Sequence, residues 1–405
     1  MQTRRRLLRQ MGLIGCSLAA QPLVTTMTFA QAPWENRLAV IILRGGMDGL
    51  GALPPIEDPG YAALRPTLSI NPGAPLDFGF ALHPSLEPLR PLWASGDLAF
   101  LPAVSTPYRD RRSHFDGQDI LEAGTSGDVG PSARRAGWLS RLLAEVPGLS
   151  ADTAFAVGRD KPLILTGPFA GRSWSPATRL DLSPQSRLLL ELVYADDPAF
   201  HAASGAALEL AQALGVSEDI GSFAEMSQMQ MENRAAQRRA DGAKEIARFA
   251  AARLREDTRI AAFSLDGWDT HRGQGSNLSQ ALKRLSDAIL TLRDDLGPIW
   301  DKTAVLAMTE FGRTAAENGT GGTDHGTGGL MIAAGGAVRG GKLYGRWPGL
   351  DESDLYQRRD LAPTGDVRRY SAWAMADLFG FDRALLEGVA FPGLEMGTNP
   401  RLMGG

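Results

Sequence analysis

The stretch from Thr303 to Gly335 constrains the fold of this 405-residue chain more than any other. An apolar run, Thr303 to Met308, stops abruptly at Thr309, Glu310, Phe311, Gly312 and Arg313. A glycine-rich loop carrying Asp324-His325-Gly326 follows, and a second apolar run, Leu330 to Ala334, closes the stretch. Short apolar runs bounded by glycines read as buried strands of a parallel sheet. Ligands of open α/β sheets sit at the carboxyl ends of such strands, where Glu310, Arg313, Asp324 and His325 would then lie. The plainer alternative is an ion pair between Glu310 and Arg313.

Similar runs recur upstream. Leu38 to Leu43 predicts a first central strand, ending in Arg44-Gly45-Gly46-Met47-Asp48-Gly49-Leu50. Glycines around an acid let backbone approach closely, so Asp48 is a candidate metal ligand, or else a turn cap. Asp97 to Val104 predicts a strand that leads into a loop with Arg109, Arg111 and Arg112, then a helix from Ser113 to Glu122. Ser113 stands where an N-cap belongs. The same helix terminus beside arginines suits an anion, and there a serine could serve as nucleophile. Thr258 to Leu265 predicts a third strand, ending in Asp266-Gly267-Trp268-Asp269-Thr270-His271. Asp269 and His271 project to one side of an extended segment, as a metal site requires, or as an aspartate orienting a histidine would.

Other segments predict scaffold. Leu53 to Phe80 reads as a wrapped proline- and glycine-rich loop, and His83-Pro84 opens a short helix to about Ala94. Thr153 to Val157 and Pro162 to Thr166 read as short strands, paired as an edge hairpin. Helices are expected over Ser183 to Tyr194, Ala202 to Leu214, Phe223 to Arg255, Ser276 to Leu296 and Val367 to Phe379. His201 receives no role.

The formal charge of −4 and the lack of a basic block beyond the N-terminus argue against a nucleic-acid partner. Arg4-Arg5-Arg6-Leu7-Leu8-Arg9 and the apolar stretch after it resemble a twin-arginine export signal, residues 1–30, with Thr28-Phe29-Ala30 as cleavage site. Leu13-Ile14-Gly15-Cys16 offers a lipoprotein box as an alternative, although it begins early. The expectation is a periplasmic or secreted protein that meets the Tat translocase during export. Cys16 is the only cysteine and lies in this leader, so the remainder uses no disulfide. No later stretch reaches the roughly 20 apolar residues of a membrane span.

His114, His271 and His325, three of only five histidines, fall in polar motifs beside Asp48, Ser113, Asp269, Glu310 and Asp324. Parallel strands would gather these loops on one rim. Carboxylates with imidazoles suit a divalent ion, whether zinc, manganese, magnesium or calcium. A metal cluster beside a serine suits hydrolysis of small anionic esters.

The ordered motifs LRGGMDGL, RSHFDGQDILEAG, DGWDTH, TEFGRT and GGTDHG after such a leader resemble the bacterial domain-of-unknown-function 1501 family, which is related to the alkaline phosphatase and sulfatase superfamily. The resemblance implies a three-layer α/β sandwich with a mixed, mainly parallel central sheet and a helical insertion at about 137–255. It implies a metal-dependent hydrolase of phosphate or sulfate esters, or a non-catalytic binding relative. Ser113 would be the nucleophile, Arg313 or Arg109 would steady the anion, and Asp48, Asp269, His271, Glu310, Asp324 and His325 would hold metal. The chain departs from the superfamily pattern at Phe311, which follows Glu310 where that pattern has an Asp-His pair, and in the tight Asp269–His271 spacing. A hydrolase with a metal-activated water, in which Ser113 only caps its helix, is the further alternative.

Overall fold

The computed structural model describes residues 32–109, 111–126, 135–158, 162–174 and 242–404. The expected export signal, His201, the two helices from Ser183 to Leu214 and most of the helix expected from Phe223 lie outside these residues.

Strand β1 (Arg37–Arg44) is the centre, with every residue through Leu43 buried. Its side chains alternate between two cores. Leu38, Val40 and Ile42 enter one, while Ala39, Ile41 and Leu43 enter the other. Such period-two division is what a strand buried on both faces needs, and each Leu or Ile contributes about 1.5–3 kcal/mol by leaving water. Strands β2 (Leu98–Ser105), β3 (Ala154–Val157), β4 (Arg172–Trp174), β5 (Ile260–Asp266), β6 (Thr303–Thr309), β7 (Gly329–Ala334), β8 (Lys342–Leu343) and β9 (Gly365–Asp366) complete a nine-stranded sheet. Its order is β8-β2-β7-β6-β1-β5-β3-β4, with β9 also on β2.

Helices α1 (His114–Ala123), α2 (Trp138–Ala144) and α5 (Val367–Phe379) send Leu121, Trp138 and Met375 into the first core. The helix α3 (242–254) and the long α4 (Gln274–Leu296) cover the other face, with Ala247, Leu254, Leu282, Leu285 and Leu292. This is the three-layer α/β sandwich with a mainly parallel sheet. Among the described residues no helix is long and apolar enough to cross a membrane.

Three expectations need correction. The run Leu330 to Ala334 forms β7, but it runs antiparallel to both β6 and β2. Nineteen-odd residues of loop without a crossover helix return it beside β6, and a parallel return would need such a crossover (roughly a dozen residues or more). Residues Leu163–Leu165 form a 3₁₀ turn, and β3 pairs in parallel with β4 and β5 instead of closing a hairpin. Within the stretch 137–255, β3 and β4 join the main sheet, and residues 175–241 lie outside the described residues.

Reversing β7 leaves the rim intact. Its amino end, where Asp324 and His325 arrive, lies beside the carboxyl ends of β1, β2, β5 and β6.

Candidate metal centre

Gly45 and Gly46 end β1 with φ of +124° and +67°, a region that side chains resist. A Cβ on Gly45 would stand 2.6 Å from the backbone nitrogen of Asp269, and one on Gly46 would stand 2.8 Å from the Phe311 ring. The glycines thus let the loop after β5 and the loop after β6 close over the end of β1.

Four side chains converge there. The Oδ1 of Asp269 lies 3.4 Å from His114 Nε2, 3.1 Å from His271 Nε2 and 3.3 Å from His325 Nε2. The Nε2 atoms of His271 and His325 are 2.9 Å apart. Ligand atoms of His114, Asp269 and His325 all fall within 4.8 Å of one another.

The outer partners fix which nitrogen carries the proton. His114 Nδ1 lies 2.8 Å from Glu310 Oε1, His271 Nδ1 lies 3.1 Å from Asp324 Oδ1, and His325 Nδ1 lies 2.8 Å from the Arg112 carbonyl. A carbonyl only accepts, and both carboxyls are held ionised. Burial works to raise Glu310, but hydrogen bonds from His114, its own backbone N–H and Gln118 prevail and keep it below the usual carboxylate range. The Asn318 amide, with help from His271, does the same for Asp324. Each Nδ1 is therefore the donor, and in the neutral imidazoles each Nε2 turns a lone pair toward the centre. Among the described residues, the buried His114 Nε2 has no hydrogen-bond partner, its nearest oxygen being Asp269 Oδ1 at 3.4 Å. This donor set fits a divalent ion, with three imidazole nitrogens and a carboxylate oxygen matching zinc or another transition metal better than magnesium or calcium.

Charge reinforces the arrangement. Burial works to raise Asp269, but the Arg313 guanidinium, whose Nη1 donates to Oδ1 at 2.8 Å, holds it low. His114 is pulled the other way: burial disfavours its imidazolium, yet Glu310 and Asp269 raise its pKa overall. His325 is lowered by burial, and the charges of His114 and Arg313 add to that.

The expected residues thus divide. Asp269, His271 and His325 meet at the centre, and His114, not placed among the expected ligands, joins them. Its signal was visible as a histidine at the start of a helix following a strand. Glu310 and Asp324, expected as ligands, stand behind His114 and His271 as their acceptors. Glu310 and Arg313 do not pair with each other; Arg313 is buried and takes Asp269. Asp48, also expected as a ligand, is withheld from the cluster. Its two oxygens receive Arg65 Nη1 at 2.6 Å and Nη2 at 2.9 Å, with both residues buried. Ser113 caps α1, accepting the Asp116 N–H at 3.4 Å, and its own N–H donates to the Tyr108 hydroxyl. Beside His325 and Phe311, Tyr108, Arg109, Arg111, Arg112 and Tyr356 line a cleft, with Arg111 and Arg112 exposed.

Among solved structures, the chain is similar to the lipoteichoic acid synthase LtaP from Listeria monocytogenes, at 10% identity and a TM-score of 0.40, over 94% of this chain and 78% of that one. A protein in the alkaline phosphatase superfamily from Vibrio parahaemolyticus is similar at 11% identity and a TM-score of 0.32, over 76% and 62%. So is a 2-O GAG sulfatase, at 13% identity and a TM-score of 0.34, over 90% and 76%. No curated protein matches the chain. Residues 101–386, well over half the length, match the family described as protein of unknown function DUF1501, and the chain belongs to that family.

Proposed function

We propose that this protein is an exported, metal-dependent hydrolase of phosphate or sulfate esters. The observation that carries the reading is the convergence of three oriented Nε2 atoms on Asp269 Oδ1. Facing lone pairs repel, and a cation at their centre, in this reading a metal ion, relieves that repulsion while the partners behind each histidine hold it in place. His114, His271, His325 and Asp269 would hold it. The chemistry supplied by such an ion is Lewis acidity toward an ester oxygen and a lowered pKa for water. Arg313 fixes Asp269 in place. Arg111 and Arg112, exposed in the adjoining cleft, give an anionic substrate its counter-charge. Ser113, half-buried one residue before His114, is the attacking group. Among the described residues, its hydroxyl oxygen accepts one bond, the long cap from the Asp116 N–H.

That same cap favours a second reading, in which water attacks and Ser113 serves α1 alone. Ser113→Ala decides between them: loss of turnover with metal retained supports the serine, and unchanged turnover supports water. Export rests on Arg4, Arg5 and Arg6. Lysine substitutions there should leave the protein in the cytoplasm, measured by fractionation.

The test of the reading is elemental analysis of protein purified without chelator, with Asp269→Ala and His325→Ala alongside. About one equivalent of a transition metal, lost in both variants, is the expected result and warrants assay with aryl phosphates and sulfates. No metal in the wild type after reconstitution would remove the hydrolase and leave a binding protein.

A further inference from the structure

Below the imidazoles lies a buried amide that the proposed chemistry does not use. Gln274, at the start of α4, is 2% exposed. Its Nε2 donates to Asp48 Oδ2 at 2.6 Å. Its Oε1 accepts from the Thr270 hydroxyl at 2.8 Å and from the Thr323 hydroxyl at 2.6 Å. Thr270 immediately precedes His271, and Thr323 immediately precedes Asp324-His325. One side chain thus grips both loops that carry the close pair of histidines.

The direction of every bond in this hub follows from the ion pair beneath it. The Asp48 carboxylate facing Arg65 can only accept, so the Gln274 NH₂ must point at it and its carbonyl must point at the threonines. Both hydroxyls must then donate to that carbonyl. The Thr323 oxygen is left to accept, and it takes the Arg313 Nε–H at 3.2 Å. Arg313 in turn donates to Asp269. Donation therefore runs one way from Arg313 through Thr323 and Gln274 to Asp48, with Arg65 donating into Asp48 at one end and Arg313 donating to Asp269 at the other. The backbone of the two loops is also joined, Thr323 N–H to Thr270 carbonyl at 3.2 Å, so the clamp sets register and the side chain sets spacing.

We propose that Gln274 is a positioning residue, which sets the separation of His271 and His325 and the placement of Asp269. The proposal rests on the metal-centre reading above for its consequence, but its geometry can be tested without metal. Buried amides with a complete set of partners have one orientation, so removing one member leaves the others unsatisfied and free to shift.

The experiment is cobalt(II) titration followed by visible absorption, on wild type, Gln274→Leu, Thr323→Val, Thr270→Val and Leu285→Ala. Leu285 lies in the same helix with its side chain in the apolar core, so its truncation lowers Tm without touching the hub. Gln274→Leu should weaken cobalt binding by about 10- to 100-fold and shift the absorption band, and each threonine variant by up to about tenfold. Leu285→Ala should keep wild-type affinity and spectrum. The threonine variants carry the test if Gln274→Leu does not fold. Wild-type affinity in Gln274→Leu, or equal weakening in Leu285→Ala, would overturn the role. If the wild type takes up no cobalt, the hydrolase reading fails by itself, and metal-free crystal structures decide about Gln274. The 2.9 Å contact between His271 Nε2 and His325 Nε2 should open in Thr323→Val or Gln274→Leu, and its persistence would overturn the proposal.

Discussion

Asp48 follows β1 and Asp269 follows the neighbouring strand β5, each within two residues of a glycine, yet the two acids meet opposite fates. Asp48 is 1% exposed and gives both oxygens to a guanidinium that is itself wholly buried. Burial disfavours the charge on Arg65, but Asp48 more than restores it and raises the arginine pKa. Asp269 keeps 45% of its side chain exposed and meets its arginine through one oxygen only, the same one that faces three imidazoles. Arg65 answers Asp48 on both oxygens, whereas Asp269 shares one oxygen between Arg313 and the three imidazoles proposed to hold a cation with it. Position beyond a strand does not by itself make an acid a candidate metal ligand; what else the fold brings to its oxygens does.

Removing Arg65 should break this contrast most severely. Arg65→Met strands a buried carboxylate and should cost about 3–5 kcal/mol in denaturant unfolding. Asp48→Leu combined with Arg65→Met should recover most of that loss, because a buried pair replaced by apolar groups is often close to neutral. A double variant as unstable as the single one would mean that the hub, more than the pair, holds this region together. Asp269→Asn keeps an oxygen for Arg313, so its unfolding cost should be smaller, about 1.5–3 kcal/mol. Its metal content, measured by elemental analysis, should nevertheless fall to background. Stability lost at Asp269 on the scale of Arg65→Met, with metal retained, would erase the distinction.

A smaller effect concerns pH. Glu310 is held below its ordinary value of 4.5 in the folded protein. Its contribution to stability is thus present above that value and is lost as pH falls through the depressed folded value. In metal-free protein, Glu310→Gln should flatten the acid limb of urea midpoint against pH, and it should also flatten the fall above pH 6.5, because Glu310 is the main group that raises His114. A limb as steep as in the wild type would assign acid unfolding to other carboxylates.

The strands were legible because apolar runs such as Leu38–Leu43 and Thr303–Met308 stop at glycines and charges, and α5 follows the periodicity of Val367 to Phe379 to the residue. Strand direction was not legible: Leu330–Ala334 has the composition of a parallel strand, and only its return from β6 without a crossover helix makes it antiparallel. In the centre, Asp269, His271 and His325 stood out as chemistry-bearing residues beyond strands. Which acid touches the middle and which stands behind a histidine depends on contacts made across the fold, as Glu310 does with His114 over 196 residues. Arg65 and Gln274 carried no signal, since an arginine in a loop and a glutamine opening a helix are ordinary until something buries them.

The outer acceptor of His325 comes from Arg112, 213 residues earlier in the chain. Looked at as an event in time, the centre cannot exist on a partly made polypeptide, because its first and last members are separated by most of the sheet. Loop closure on that scale is bought only by the assembled core. An ion that binds the finished arrangement and not the open chain stabilises the whole protein by mass action. Metal uptake at the proposed centre would then report that folding is complete.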